Sequence, residues 1–239
     1  MAVTDEAILK IKDMISSGRL RPGDKLPVER ELANLLGLSR SSLREAVRAL
    51  DILGILHVRQ GDGTYVSDLK PGTLLEGIGF FLEVGSDSRT LEALQARRIL
   101  EPALTELASL RMSEVQLASL RMALDRMERA QTVENLIGAD VEFHRIVAEG
   151  SGNALLAGFL NELGRTTVRA RMWRVFLEEG ATENAVVEHR AIFQALLGGD
   201  PALALASSTV HVANVERWLQ QTLERSAVSH DDQATPGSA

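Results

Sequence analysis

Near the start of the chain, apolar residues recur every three to four positions: Ile8, Ile11 and Ile15, with Gly18 just beyond. That period predicts a helix over about 5–17, closed by the glycine. "RPGDKLP" (21–27) is turn chemistry around a short extended piece. A second short helix is expected over 28–37, "VERELANLLG", whose Gly37 suits a left-handed cap. Leu43, Ala46, Val47, Leu50 and Leu53 form the stripe of a third helix, with Ser39 as its N-cap and Gly54 as its stop. Two β-rich runs follow, "ILHVRQ" (55–60) and "TYVS" (64–67), joined by "GDG", a strong hairpin signal.

From residue 70 onward the pattern is helical. After a linker "KPG" (70–72), helices are expected at about 73–84, 90–111, 113–130, 133–149, 153–178, 183–197 and 201–225. Ser113 with Gln116 makes a capping box; Thr132 and Thr182 can cap; Gly150 and Gly198-Gly199 can stop. Asp200-Pro201 is an N-cap followed by proline at the first helical position. Pro102 predicts a kink near Arg98. The predicted fold is therefore mainly α. A winged helix-turn-helix with a small β-hairpin wing (1–69) precedes an all-α antiparallel helical bundle (70–225) and a disordered tail (226–239).

Composition narrows the chemistry. At 45% hydrophobic and 25% charged residues, the 239-residue chain can bury ordinary cores. The absence of cysteine excludes disulfides, thiolate metal sites and cysteine nucleophiles, and fits a reducing cytoplasm. With no signal-peptide core and no run of 18 apolar residues, a soluble cytoplasmic protein without a membrane partner is expected. The net charge of −7 is unevenly spread. Residues 1–70 carry 11 basic and 10 acidic side chains, which leaves 15 against 23 for the rest, so the two parts have different partners.

On the third helix, Arg40, Arg44 and Arg48 lie opposite the apolar stripe, each about 40° round from the last. In a winged helix-turn-helix this helix enters the DNA major groove. There arginines reach phosphates or guanine edges, and Ser41 and Ser42, in the first turn, can meet phosphate. The alternative is a solvated face carrying ion pairs with neighbours such as Glu45 and Asp51.

In the second part, polar residues occupy stripes that should be apolar. Asp140 and His144 share one helical face; His189 and His211 enter from two later helices. Three imidazoles and a carboxylate could form the ligand set of a divalent metal such as Zn²⁺, Ni²⁺ or Mn²⁺. Hydrogen-bonded core histidines are the other reading, and the pattern leaves both open. His57, in the first wing strand, and His230, in the tail, call for no more than solvent exposure.

The stretch "SGRLRPGDKLPVERELANLLGLSRSSLREAVRALDILGILHVRQGDGTYV" resembles, almost position for position, the DNA-binding domain of GntR-family transcription regulators. The resemblance implies operator contacts by Arg30, Ser39, Arg40, Ser41, Ser42 and Arg44, with Gly61 at a wing tip that enters the minor groove. Val28 departs from the pattern, which usually has serine before "ERE"; the lost cap is worth on the order of 1 kcal/mol. Downstream, "ARRILEPALTELA", "D-x-x-x-H", "EHRAIFQALLGGD" and a histidine before "VANVERW" are similar to the FadR subfamily with an FCD-type domain, over about 73–222.

In metal-containing members of that subfamily an aspartate and three histidines hold a divalent cation, matched here by Asp140, His144, His189 and His211. Arg97 matches an arginine that reaches the effector in many relatives, although an ion pair with Glu101 would equally explain it. Ser207 and Asn214 are further possible contacts. A metal with one carboxylate and three neutral imidazoles keeps a net positive charge and favours small carboxylates. The implied function is a ligand-responsive transcription regulator. A homodimer would bind a short inverted repeat in double-stranded DNA, with a small organic acid as effector and, by analogy, repression as the outcome. Two other classes compete: a metal-dependent enzyme, for which no glutamate is placed as general base, and a constitutive DNA-binding protein with a structural metal.

Overall fold

Helix α1 (Val3–Ser16) turns Ala7, Ile11 and Met14 inward, in a computed structural model that describes residues 3–71, Leu75 and 87–233. Helices α2 (Glu29–Leu36) and α3 (Arg40–Ile52) close the same core with Leu32, Leu43 and Leu50. Strands β1 (Leu56–Arg59) and β2 (Gly63–Val66) add Leu56 and Val66, which face one another across the antiparallel register. These elements belong to a first compact unit, Met1–Gly77, distinct from a second, Ile78–Ala239. The first unit is a helix-turn-helix with a two-stranded wing.

Local chemistry sets its corners. Gly37 caps α2 with φ +66°, a left-handed conformation that costs glycine little. Ser39 caps α3: its Oγ accepts from the Ser42 N–H at 3.1 Å. Val28 occupies the cap of α2 with an extended backbone and no side-chain cap bond. At the wing, Lys25 bridges to Tyr65 as a third short extended segment, with the Leu26 N–H donating to the Thr64 carbonyl at 2.8 Å.

The second unit is helical: α4 (Asp87–Ser109), α5 (Glu114–Glu128), α6 (Val133–Gly150), α7 (Ala154–Thr166), α8 (Val168–Leu177), α9 (Ala181–Leu197) and α10 (Pro201–Gln233). Leu120, Leu124, Phe143, Val147, Ile192 and Leu196 build its main core between α5, α6 and α9. The Ser113–Gln116 capping box forms with both bonds present, and Thr132 caps α6. Asp200 Oδ1 accepts from the Leu203 N–H at 3.0 Å at the start of α10. No helix among the described residues is long and apolar enough to cross a membrane.

Four local expectations fare differently. The segment 153–178 is two helices, because Thr166 and Thr167 turn their hydroxyls back onto the carbonyls of Glu162 and Gly164, a pattern that bends helices. Thr182 lies inside α9, which starts after a left-handed Gly180 (φ +76°) without a side-chain cap. Pro102 lies within α4, which is helical on both sides of it. Helix α10 continues to Gln233, past the expected end at 225. The helix expected at 73–84 falls outside the described residues except at Leu75.

Candidate metal centre and nucleic-acid interface

Asp140 and His144 stand one turn apart on α6; His189 comes from α9 and His211 from α10. All four are buried, and one possible ligand atom from each lies within 4.8 Å of the others. His189 Nε2 is 3.2 Å from His144 Nε2 and 3.2 Å from Asp140 Oδ1; His144 Nε2 is 3.6 Å from the same oxygen. The His211 ring lies 4.4 Å from that of His189 and 5.1 Å from that of His144, centroid to centroid.

The outer nitrogens are all engaged. His144 Nδ1 meets Glu101 Oε1 at 2.5 Å, His189 Nδ1 the Ala185 carbonyl at 2.7 Å, and His211 Nδ1 Glu188 Oε2 at 2.8 Å. A carbonyl or carboxylate can only accept, so each Nδ1 donates, and in a neutral ring Nε2 is then the ligand atom. Burial, with His144 beside it, pushes His189 down to about 3; burial and His189 push His211 down to about 3. Both rings are therefore neutral near pH 7, the form that binds metal.

His144 Nε2 and His189 Nε2, 3.2 Å apart and both near Asp140 Oδ1, need a shared proton or a metal cation between them. Ligands about 2.1 Å from one ion, at angles between octahedral and tetrahedral, stand about 3.0–3.4 Å apart. Three imidazole nitrogens and one carboxylate oxygen suit Zn²⁺, Ni²⁺ or Mn²⁺. The cluster could hold a divalent metal ion.

Other charged groups support this set. Asp140 Oδ2 accepts from Arg171 Nη1 of α8, and Arg171 Nη2 donates to the Gly164 carbonyl at 2.7 Å. Arg97 is buried and pairs with Glu101 (2.8 and 2.9 Å) and with Thr167 Oγ1 (2.7 Å), the ion-pair alternative for that residue. Although burial pushes Glu101 up, Arg97 and His144 hold its carboxyl well below the usual range. Asn214 donates to Glu188 Oε1 at 2.6 Å and so steadies the carboxylate behind His211. Arg98 faces outward onto Glu216, and Ser208 is more deeply buried than Ser207. A cavity of about 20 Å³, bordered by Ile137, Asp140, Arg171, Arg174, Ala185 and His211, adjoins the cluster.

Sequence reasoning missed Arg171 and Glu188. Arg171 follows the break at Thr167, which resets the helical phase, so no stripe drawn over 153–178 points to it. Glu188 adjoins His189 and reads as surface, yet its long side chain reaches the imidazole of His211.

In the first unit, Arg30, Ser39, Arg40, Ser41, Arg44 and Gly61 are exposed and Ser42 is half-buried. Arg44 Nη2 pairs with Glu29 Oε1 at 2.9 Å, and Arg48 with Glu45 at 3.2 Å. Ser39 Oγ lies 2.9 Å from Ser41 Oγ and 2.8 Å from Ser42 Oγ, which gathers three hydroxyls at the start of α3. Gly61, at the hairpin tip, takes φ +78°. Beside it Asp62 accepts from the Tyr65 hydroxyl at 2.9 Å and from Lys25 at 3.2 Å, and Arg59 covers the Tyr65 ring. The Tyr65 and Lys25 bonds hold the Asp62 carboxyl below its usual range.

Residues 3–66 match the family described as bacterial regulatory proteins, gntR family, and residues 92–214 match the FCD domain. The HTH-type transcriptional regulator LutR of Bacillus subtilis is 29% identical over 218 residues, which is 88% of this chain and 98% of LutR. The Uxu operon transcriptional regulator of Escherichia coli is 30% identical over 217 residues, 87% of this chain and 83% of that protein. The solved structure of Streptococcus agalactiae GntR superposes with a TM-score of 0.72 at 29% identity, over 90% of this chain and 99% of that one.

Proposed function

The chain belongs to the GntR family of bacterial regulatory proteins, with an FCD domain in its second unit, and from that membership we propose how this transcription regulator works. It is a repressor that acts in the cytoplasm as a homodimer on a short inverted repeat of double-stranded DNA. Arg30, Arg40 and Arg44, with the hydroxyls of Ser39, Ser41 and Ser42, meet the operator in the major groove, and the wing tip at Gly61 meets it in the minor groove.

The second unit senses a small carboxylate at a divalent metal, Zn²⁺, Ni²⁺ or Mn²⁺, held by Asp140, His144, His189 and His211. One observation carries this reading: each of the three histidines gives Nδ1 to an acceptor, which leaves the Nε2 lone pairs to a cation. The metal supplies a positive centre with open positions for a carboxylate oxygen. Glu101 and Glu188 hold the imidazoles in the ligating tautomer, and Arg97 and Asn214 hold those carboxylates in turn. Arg97 and Asn214 thus affect the effector by fixing the groups it meets. Effector binding favours one of two dimer arrangements, and operator affinity falls in proportion to the effector's preference between them.

The decisive test is metal content of tag-free protein by elemental analysis. About one divalent ion per chain is expected in the wild type and none in His144→Ala. Absence of an ion after incubation with Zn²⁺, Ni²⁺ and Mn²⁺ overturns the metal reading. The metal-loaded protein should also lose affinity for operator DNA selected by the protein when a small carboxylate is added at fixed salt. Unchanged affinity across a carboxylate panel would overturn the sensing reading.

A further inference from the structure

Beside the ligand set lies a cation whose bonding is incomplete. Arg171 is only 5% exposed, and its Nε is the one buried side-chain nitrogen or oxygen without a hydrogen-bond partner among the described residues. The rest of the guanidinium is fixed on two sides, by Asp140 Oδ2 and by the Gly164 carbonyl. Such a group is pre-organised for an acceptor, because nothing need be reordered when one arrives. Buried polar groups are normally satisfied, so the Nε–H is a donor open to a water or to a ligand oxygen. Arg171 also borders the small cavity shared with Asp140 and His211.

Charge decides what kind of acceptor fits. Metal ligation requires neutral imidazoles, so the charge of the loaded cluster comes from three carboxylates (Asp140, Glu101, Glu188) and two guanidiniums (Arg97, Arg171) that contact the histidines or one another. That leaves one net negative charge, and a divalent cation turns it into one net positive charge. A monoanion brings the buried cluster to neutrality, whereas a dianion overshoots and a neutral ligand leaves both the excess charge and the Arg171 Nε uncompensated. The free space of about 20 Å³ admits a body of roughly water size, so the anionic end entering it must be compact.

We propose that Arg171 is a direct effector-binding residue, and that this centre takes a small monocarboxylic acid whose carboxylate is shared between the metal and the Arg171 Nε–H. This rests on the metal-dependent sensing reading above. It adds a specific residue and a charge class. Arg171 has a second part to play, since its Nη1 keeps Asp140 oriented with Oδ1 toward the histidines.

The test is calorimetric titration of glycolate, malonate and sulfate into tag-free, full-length protein loaded with Zn²⁺, with ion content measured in parallel. Wild type should bind glycolate about tenfold or more tightly than the two more highly charged anions. Arg171→Gln should keep its ion and lose about tenfold or more in glycolate affinity, and Arg171→Lys should fall between. Equal glycolate affinity in wild type and both variants, with ion retained, overturns the Arg171 assignment and leaves carboxylate sensing intact. Malonate or sulfate binding as tightly as glycolate overturns the charge class, even if Arg171→Gln fails to fold. Loss of the ion from both variants would show that Arg171 acts only through Asp140 and would overturn the anchor. A wild type that takes up no Zn²⁺, or binds none of the anions when loaded, fails at the underlying reading.

Discussion

Arg44 of α3 is joined to Glu29 at the start of α2 by an ion pair of 2.9 Å. Each side chain shifts the other: the Arg44 bond holds the Glu29 carboxyl down, and Glu29 holds the Arg44 guanidinium up. Both are partly exposed, so the pair contributes little to stability. Its consequence lies in DNA binding. Glu29 fixes the direction of the arginine and also competes with the DNA for it.

Glu29→Gln should therefore raise non-specific DNA affinity several-fold and steepen its dependence on salt by about one unit of log slope, as one more arginine becomes free for phosphate. Specificity should fall, since a mobile guanidinium loses its pre-set approach to a guanine edge. A mobility-shift titration against operator and random DNA at several salt concentrations measures both. Arg44→Ala should abolish the operator preference altogether. Retained preference in that variant removes Arg44 from the recognition set.

Val28 offers a stability test. Its backbone (φ −57°, ψ 147°) has the cap geometry that Ser39 shows at α3 (φ −70°, ψ 148°), yet it lacks a side-chain acceptor. Val28 is 61% exposed, so little buried apolar surface is at stake. Three residues on stands Glu31, the position that completes a capping box. Val28→Ser should raise unfolding free energy by about 1 kcal/mol with operator affinity unchanged, as read by urea denaturation. No gain would mean that the first turn of α2 is already satisfied by water.

The metal-ligand candidates were legible in the sequence because each sits on an apolar stripe, where a polar residue is conspicuous. Asp140 and His144 also share a spacing of one helical turn. The groups behind them were harder to read. Whether Arg97 faces an effector or Glu101 depends on the packing of α4 against Thr167, which sequence periodicity does not encode. Arg171 was hidden by a helix break built from two threonine hydroxyls. The first unit was the more legible because its turns are set by local chemistry: Gly37, Ser39 and the Gly-Asp-Gly loop each act on their own neighbours.

Metal loading should appear in stability. A cation that binds only the folded cluster adds about 2.7 kcal/mol at one hundred times its dissociation constant. For a domain of this size that raises the melting temperature by about 5–10 °C. Saturating Zn²⁺ should produce that shift in wild type and none in His144→Ala or Asp140→Asn, as followed by circular dichroism. An equal shift in the variants would place the ion elsewhere.

Phe143 links the core to the ligands. Its ring is fully buried and stands edge-on to His189 at 4.8 Å and to His144 at 5.9 Å, at interplanar angles of 82° and 83°. Phe193, in the same apolar cluster, instead carries Arg121 over its ring. Replacing either by leucine keeps an apolar core and should cost about 1–2 kcal/mol in stability. Only Phe143→Leu removes the ring that abuts both imidazoles, and ligands held by their Nδ1 bonds alone should bind metal about tenfold more weakly. Competition with a metal-sensitive dye should show that loss for Phe143→Leu and near-wild-type affinity for Phe193→Leu. If both variants lost affinity in step with stability, metal binding would depend on overall folding rather than on the ring that aligns His144 and His189.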